Sequence, residues 1–147
     1  SNQVDFEGRI EPDRVGEWLG GLDICVFPGL WESFSYVTLE AAEAGKAIIG
    51  TKTGAVEEIL DAGRVGEIVQ PGDVKALAGA LRKLMADGEL RSKLGAAARN
   101  RFEERFNPDR VMAEILEVYR EAALRAEVRK SKAVDGGGDR LHESRWQ

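Results

Sequence analysis

Short apolar runs alternate with helical stretches along the first two thirds of the chain, which is the pattern of an α/β domain with a parallel sheet. The clearest strand is predicted over residues 23–28, where four consecutive apolar residues lie between a turn and a proline. We therefore expect a sheet of about four strands flanked by helices. The predicted strands are residues 4–6, 23–28, 46–50 and 66–69, and the predicted helices are residues 11–19, 35–44 and 55–60. Gly45 is expected to end the second of these helices.

The remainder of the chain is predicted to be helical. Asp73 caps a first helix, a second follows it, and Asn107 and Pro108 begin a third. We expect one domain over residues 3–128 and a flexible tail over residues 129–147. The apolar positions predicted to face inward are Val74, Leu77, Ala78, Leu81, Leu84 and Met85 on the first helix, Leu90, Leu94, Ala97, Ala98 and Phe102 on the second, and Val111, Ile115, Val118, Tyr119 and Ala122 on the third.

Composition excludes several classes of protein. The 147 residues are 43% hydrophobic, enough for a core, and their formal net charge of −5 argues against nucleic acid as the main partner. The single cysteine, Cys25, excludes an internal disulfide framework and a cysteine-built zinc site. No apolar run approaches the roughly 20 residues of a membrane span. These features indicate a soluble, cytoplasmic domain.

Charge is unevenly distributed along the chain. Residues 1–119 carry 14 basic and 21 acidic side chains, whereas residues 120–147 carry 7 and 5. A basic terminus of this kind can contact anionic lipids, although a solvated chain end is the simpler interpretation. We therefore expect at most a peripheral contact with the inner face of a membrane.

The stretch from residue 28 to residue 45 carries the candidate chemistry. It leaves the carboxyl end of a predicted parallel strand and enters a helix, and ligands bind at that edge of open α/β sheets. The first-turn amides of the helix are unpaired donors that suit an anion. Glu32 and Glu40 bracket them, and an ionised carboxylate accepts hydrogen bonds from sugar hydroxyls. The pattern suits a nucleotide sugar, although acidic helices also commonly face solvent.

Residues 32–40 resemble the E-x7-E motif of the retaining glycosyltransferases of the GT-B fold, the glycosyl transferases group 1 family. Other stretches resemble motifs of this family in order and at its spacing, over about residues 4–122. Residues 6–8 resemble F-x-G, residues 22–28 an apolar strand ending in proline, residues 39–45 L-E-A-x-A-x-G, residues 53–59 G-G-x-x-E-I and residues 66–73 G-x-x-V-x-P-G-D.

The resemblance implies a partial Rossmann-like domain that binds the nucleotide-diphosphate sugar donor of a hexosyltransferase, with retention of configuration. It implies that Glu32 is catalytic and holds a hydroxyl of the donor sugar, that Glu40 binds the ribose hydroxyls, and that Gly54 lines the same crevice. No metal and no other cofactor is implied, because helix dipoles and basic side chains offset the charge of the leaving diphosphate. The backbone amides implied to meet the sugar and the distal phosphate are those of Phe34, Ser35, Tyr36 and Val37.

Three positions depart from the family pattern. Ala47 stands where proline is usual, and Thr53 and Ser35 stand where glycine is usual. Ser35 is the departure expected to alter donor fit, because its β-carbon occupies a place where the backbone approaches the ligand closely.

Larger parts of the family pattern have no counterpart in the chain. These are two strand–helix units, the Arg and Lys that grip the diphosphate, and the N-terminal acceptor domain with its histidine; His142, the single histidine, stands in the tail. We therefore expect a C-terminal fragment that is inactive alone. The strand at residues 4–6 would lack its native neighbours, which predicts a homodimer or strand swap at an open sheet edge.

The sequence also bears on other classes of function. A non-catalytic Rossmann-like module that binds a nucleotide or a protein remains open. A dinucleotide-binding or P-loop protein is disfavoured, because G-x-G-x-x-G is absent and residues 50–54 have the wrong spacing for a Walker loop. A Cys25 nucleophile is disfavoured because Cys25 lies in mid-strand without a nearby histidine. Trp31 and Tyr36 suit stacking on a base or sugar and suit packing equally well.

Overall fold

The computed structural model describes residues 4–135, with side chains described for residues 4–130. The chain divides after Asn107 into two compact units, which are described separately. Short 3-10 turns at Pro12–Arg14 and Asp61–Gly63 accompany the regular elements. Those elements are α1 (Val15–Gly20), β1 (Ile24–Phe27), α2 (Tyr36–Glu43), β2 (Ala47–Thr51), α3 (Val56–Ile59), β3 (Glu67–Val69), α4 (Val74–Ala86), α5 (Gly88–Arg105) and α6 (Pro108–Asp135).

The sheet is parallel and has the order β1-β2-β3. Val26 pairs with Ile49, and Gly50 pairs with Ile68. The α/β class is confirmed, but the expectation of about four strands is one too many for residues 4–135. Residues 4–6 form no strand, and the Phe6 side chain is 94% exposed. An extended segment needs a hydrogen-bonded neighbour to become a strand, and this one has none.

β2 is the centre of the fold, and all five of its residues are buried. Successive side chains of a strand point to opposite faces, so Ile48 and Ile49 contribute to different apolar clusters. The first cluster contains Leu19, Cys25, Ala41, Ala42, Ile48, Val56, Ile59, Leu60, Ala98 and Phe102. The second contains Ala47, Ile49, Val69, Ala80, Leu84 and Leu94.

Helices α2 and α5 approach each other closely at two glycines. Gly45 ends α2 with a φ of 67°, a conformation that favours glycine, and this confirms its predicted role as the stop of the helix. A β-carbon on Gly95 of α5 would overlap the Gly45 carbonyl group. This backbone contact supports the end of α2 opposite to the candidate site.

Helices α4 and α5 begin where aspartates cap them. Asp73 Oδ1 accepts a hydrogen bond from the Ala76 amide at 2.8 Å, as predicted, and Asp87 Oδ1 accepts one from Leu90 at 2.8 Å. The predicted stripe of α4 is correct at Leu84, which is buried, and wrong at Val74 and Met85. Val74 is 75% exposed and Met85 is 70% exposed.

The second unit is described by α6, which begins at Pro108 as predicted. The predicted inner stripe of α6 is exposed in the structure; Tyr119, for example, is 70% exposed. α6 continues through Asp135, beyond the predicted start of the tail at residue 129. Residues 136–147, with His142, lie outside the described residues. Within residues 4–135 no helix combines the length and the apolar character that a bilayer span requires.

Candidate functional site

The loop that joins β1 to α2 lies at the carboxyl end of the sheet, and Thr51 at the end of β2 holds it in place. Thr51 is buried, and its Oγ1 donates to the Gly29 carbonyl oxygen at 2.6 Å and lies 3.3 Å from the Phe27 carbonyl oxygen. A buried hydroxyl that spans two strands in this way fixes the direction in which the chain leaves β1.

The turn after β2 packs against the same loop through backbone atoms. Gly54 has a φ of 47°. A β-carbon there would overlap the carbonyl oxygen of Glu32 and would lie 2.7 Å from that of Ser33. Only glycine combines this backbone conformation with this close approach. The position of Glu32 therefore depends on Gly54.

A cavity of about 150 Å³ lies between the loop, the start of α2 and the turn. Its polar side chains are Glu32, Ser35 and Thr53. The remaining lining is apolar or backbone, so a ligand there meets a few polar groups on an apolar wall, as in small-molecule sites generally. The lining residues are Val26, Phe27, Pro28, Gly29, Glu32, Ser35, Val37, Thr53 and Val56.

The Glu32 carboxylate is half-buried and lines this cavity. Its Oε1 accepts a hydrogen bond from the Ser33 amide at 3.0 Å. An ionised carboxylate can accept about four hydrogen bonds, so this single bond leaves acceptor capacity for a ligand.

Ser35 is the residue before α2, and it is buried. Its carbonyl oxygen accepts from the Thr38 and Leu39 amides at 3.1 and 3.3 Å, which closes the first turn. Within residues 4–135 no hydrogen bond is found for the amides of Tyr36 and Val37. Ser35 and Val37 both line the cavity, so α2 begins there. Its first two amides are therefore unpaired donors at the cavity.

The structure brings only some of the predicted residues to the cavity. Glu32, Ser35 and Val37 line it, and Gly54 contacts the backbone of Glu32 beside it. Phe34 and Tyr36 are exposed, and their rings meet edge to face with centroids 5.1 Å apart. Glu40 is exposed on α2 and does not line the cavity.

Sequence analysis missed two threonines of this site. Thr51 holds the loop, and Thr53 contributes a hydroxyl to the cavity. Both stand at or just beyond the carboxyl end of β2, where ligands bind in parallel sheets. That position was the signal in the sequence that could have identified them.

The cysteine does not add a reactive nucleophile to this site. Cys25 is buried in the first apolar cluster, and burial raises the pKa of its thiol, which disfavours the reactive thiolate. Among the described residues, no group of three or more His, Cys, Asp or Glu side chains could hold a metal ion.

Known proteins resemble the chain over most of its length. It is 31% identical over 118 residues to N-acetyl-alpha-D-glucosaminyl L-malate synthase of Bacillus anthracis, which covers 80% of this chain and 30% of that protein. The sucrose-phosphate synthase of Thermosynechococcus elongatus superposes with a TM-score of 0.77 at 27% identity, over 83% of this chain and 31% of that one.

A third comparison concerns one domain of such a protein. The C-terminal domain of a glycosyl transferase group 1 family protein (LpcC) from Francisella tularensis superposes with a TM-score of 0.63 at 29% identity, over 69% of this chain and 52% of that one. The chain thus spans less than a third of the two longer proteins, and its fold is that of the GT-B glycosyltransferases. Residues 1–101 match the model of the family described as glycosyl transferases group 1, and the chain belongs to that family.

Proposed function

We propose that this chain is the donor-binding part of a retaining glycosyltransferase of the hexosyltransferase type, which transfers a sugar from a nucleotide-diphosphate donor to an acceptor. The observation that carries the proposal is one cavity lined both by Glu32, whose carboxylate is an acceptor, and by the start of α2, where unpaired amides are donors. A sugar hydroxyl can donate to the carboxylate, and a phosphate can accept from the amides.

The proposed roles follow the family motif. Glu32 accepts a hydrogen bond from a hydroxyl of the donor sugar and holds the ring for transfer. Glu40 accepts from the ribose hydroxyls, and the exposure of its side chain leaves it open to a ligand that extends beyond the cavity. Gly54 keeps the Glu32 loop in place. The amides that meet the sugar and the distal phosphate are those of Phe34, Ser35, Tyr36 and Val37.

The departing diphosphate carries negative charge, which the amides and the dipole of α2 stabilise at the end of the helix. The proposed reaction therefore takes the nucleotide sugar as its substrate and uses no metal or other cofactor. An oxocarbenium-like sugar forms as the diphosphate leaves, and configuration is retained.

The proposal is tested by titrating the 15N-labelled chain with UDP, GDP and ADP and recording amide NMR spectra. We expect one of the three to shift the amide signals of residues 34–37 and 40, with smaller changes in α4 and α5. This method detects millimolar binding, so a weak complex is sufficient. If none of the three changes these signals, the donor-site proposal is wrong.

A non-catalytic nucleotide- or protein-binding module of the same architecture is the second candidate. Ser35 favours it, because its β-carbon stands at the start of α2, where the family pattern has glycine. Assays of the intact protein separate the two: nucleotide binding without transfer of a labelled sugar would support the module.

The proposed activity needs the acceptor domain that the family pattern places before this region. The chain spans 30% of the Bacillus anthracis relative, and we propose that it is inactive without the remainder. A labelled-sugar transfer assay with the chain alone is expected to show no turnover. Turnover by the chain alone would overturn this part of the proposal.

We also propose that the protein acts in the cytoplasm. Its basic segment from residue 120 would then be able to contact the inner face of a membrane. Sedimentation with vesicles that contain anionic phosphatidylserine should then exceed sedimentation with neutral vesicles and fall as salt is raised.

We also propose self-association, but through β1 rather than through residues 4–6, because residues 4–6 form no strand. Among the described strands β1 has only β2 as a neighbour, so its other edge offers unpaired backbone groups. An apolar groove lines that edge, with Trp18, Leu22 and Ile24 among its residues. The proposed partner of this edge is a second copy of the chain.

A further inference from the structure

Two buried hydroxyls share a single hydrogen bond beside the cavity. Ser35 is 3% exposed and Thr38 is fully buried. Thr38 Oγ1 donates to Ser35 Oγ at 2.7 Å, and no other hydrogen bond of either hydroxyl is found within residues 4–130. Each hydroxyl carries one proton, so one buried proton has no acceptor among the described residues.

Ser35 does not cap its helix in the usual way. A serine at this position normally accepts a hydrogen bond from an amide of the first turn through its hydroxyl oxygen. Here no such bond is made, although Ser35 directly precedes α2. Its Oγ accepts from Thr38 instead, and this leaves the Val37 amide without that partner.

The unpaired proton is that of Ser35, because Thr38 is the donor of the pair. Ser35 lines the cavity, and Thr38 does not. With Thr38 donating to Ser35, the proton of Ser35 remains available on the cavity side. A buried donor without an acceptor is costly, so an oxygen of a ligand at this place would gain more than the same bond made in water.

The neighbouring groups indicate which oxygen this is. The Ser35 hydroxyl stands beside the unpaired amides of the first turn of α2, so several donors lie together at the positive end of a helix. Such a set suits a phosphoryl oxygen, whereas the sugar hydroxyl is met by Glu32, the acceptor in the same cavity.

We propose that Ser35 determines ligand specificity, its hydroxyl donating a hydrogen bond to the distal phosphate of a nucleoside diphosphate. This inference rests on the proposed donor site and adds a side-chain donor to a place where the family resemblance implies backbone amides alone. Thr38 is the positioning residue, since its own proton occupies the lone pair of Ser35 and turns the serine proton towards the ligand.

The test compares three variants by the same NMR titration, with nucleoside diphosphates and the matching monophosphates, which lack the distal phosphate. Ser35→Ala should weaken diphosphate binding about tenfold, the loss expected for one hydrogen bond to a charged group. Its binding of the monophosphate should stay within about twofold. Thr38→Val keeps the Ser35 hydroxyl and should change diphosphate binding by less than Ser35→Ala does.

The double variant Ser35→Ala/Thr38→Val separates the loss of a ligand contact from a loss of folding. It removes both hydroxyls and leaves no orphaned partner, so it should fold and still show the tenfold loss for the diphosphate. Equal diphosphate affinity in wild type and both serine variants would overturn the inference, as would an equal loss for mono- and diphosphate. If wild type binds no nucleoside diphosphate at all, the proposed function itself is wrong.

Discussion

Gly54 and Glu32 are in direct backbone contact: a β-carbon on Gly54 would overlap the carbonyl oxygen of Glu32. The two residues lie on different loops, one after β2 and one after β1, and each loop follows the carboxyl end of its strand. The cavity beside Glu32 therefore depends on a glycine 22 positions further along the chain.

Gly54→Ala should destabilise the fold and displace the Glu32 loop. A non-glycine residue at positive φ costs on the order of 1–3 kcal/mol, and the overlap with the Glu32 carbonyl group adds to this cost. Gly72→Ala is the matched control, because Gly72 has a φ of 79° and a β-carbon there would meet nothing within 4 Å. Urea denaturation measures both variants, and amide spectra report the loop. Equal losses in the two variants would mean that the loop yields to the extra carbon.

Glu32→Gln and Glu40→Gln should have different effects in the intact enzyme. We expect Glu32→Gln to lower kcat about 100-fold with a small change in donor affinity, because the proposed role of this charge is to act on the transferring sugar. Glu40→Gln should weaken nucleotide binding about tenfold and leave kcat nearly unchanged. Steady-state kinetics with direct nucleotide titration measures both effects.

Glu43→Gln is the control for these two variants. Glu43 is an exposed carboxylate on α2, like Glu40, and lies closer to the end of the helix away from the cavity. It should change neither kcat nor affinity by more than about twofold. Small and equal effects of Glu32→Gln and Glu40→Gln would contradict the assignment of both acids.

Arg101→Lys should destabilise the first unit by about 1–2 kcal/mol. Arg101 Nε donates to the Ile59 carbonyl oxygen at 3.0 Å, and Nη2 donates to that of Glu58 at 2.6 Å, so its guanidinium caps the end of α3. It also lies 5.8 Å from the centroid of the Phe106 ring. Lysine cannot reproduce this fork of donors. Arg82→Lys, at an exposed position, should be neutral in the same urea titration.

Asp61 should make the stability of the fold depend on pH in acid. Hydrogen bonds from Arg64, at 2.6 Å to each carboxylate oxygen, and the charge of Arg101 lower the pKa of Asp61. The unfolded chain has the ordinary value near 3.9. The contribution is therefore complete above about pH 4 and is lost as pH falls through the lower pKa of the folded state.

The matched variant for this effect is Asp61→Asn. Asp61 has a φ of 53°, a conformation that asparagine tolerates as well as aspartate does. Urea midpoints measured from about pH 6 to pH 2 should fall more steeply for wild type than for the variant. Parallel curves would show that the Asp61 carboxylate contributes nothing to this pH dependence.

The free edge of β1 should make the chain associate as concentration is raised. Light scattering after gel filtration is expected to show a dimer that dissociates on dilution, and hydrogen exchange should protect the amides of β1 in the dimer. A monomer at all concentrations, with β1 amides that exchange freely, would contradict association at this edge.

Local patterns of the sequence predicted the elements well where the chain itself carries the signal. The apolar run of β1, the Gly45 stop of α2 and the Asp73 cap of α4 each depend on residues adjacent in sequence. The strand predicted at residues 4–6 was wrong, because a strand also requires a partner, and no local pattern contains one.

The candidate site divides in the same way. Adjacent residues at the entry to α2 were sufficient to single out Glu32 and Ser35 and to identify the family motif. Tertiary structure decided three contacts: that of Gly54 with the Glu32 loop, the hydrogen bond from Thr51 to Gly29, and the bond between the hydroxyls of Thr38 and Ser35. Residue types and spacing specify helices, strands and a motif, because those depend on neighbours within a few positions. Which buried donor meets which acceptor depends on how separate loops pack at the edge of the sheet, and that arrangement exists only in the folded chain.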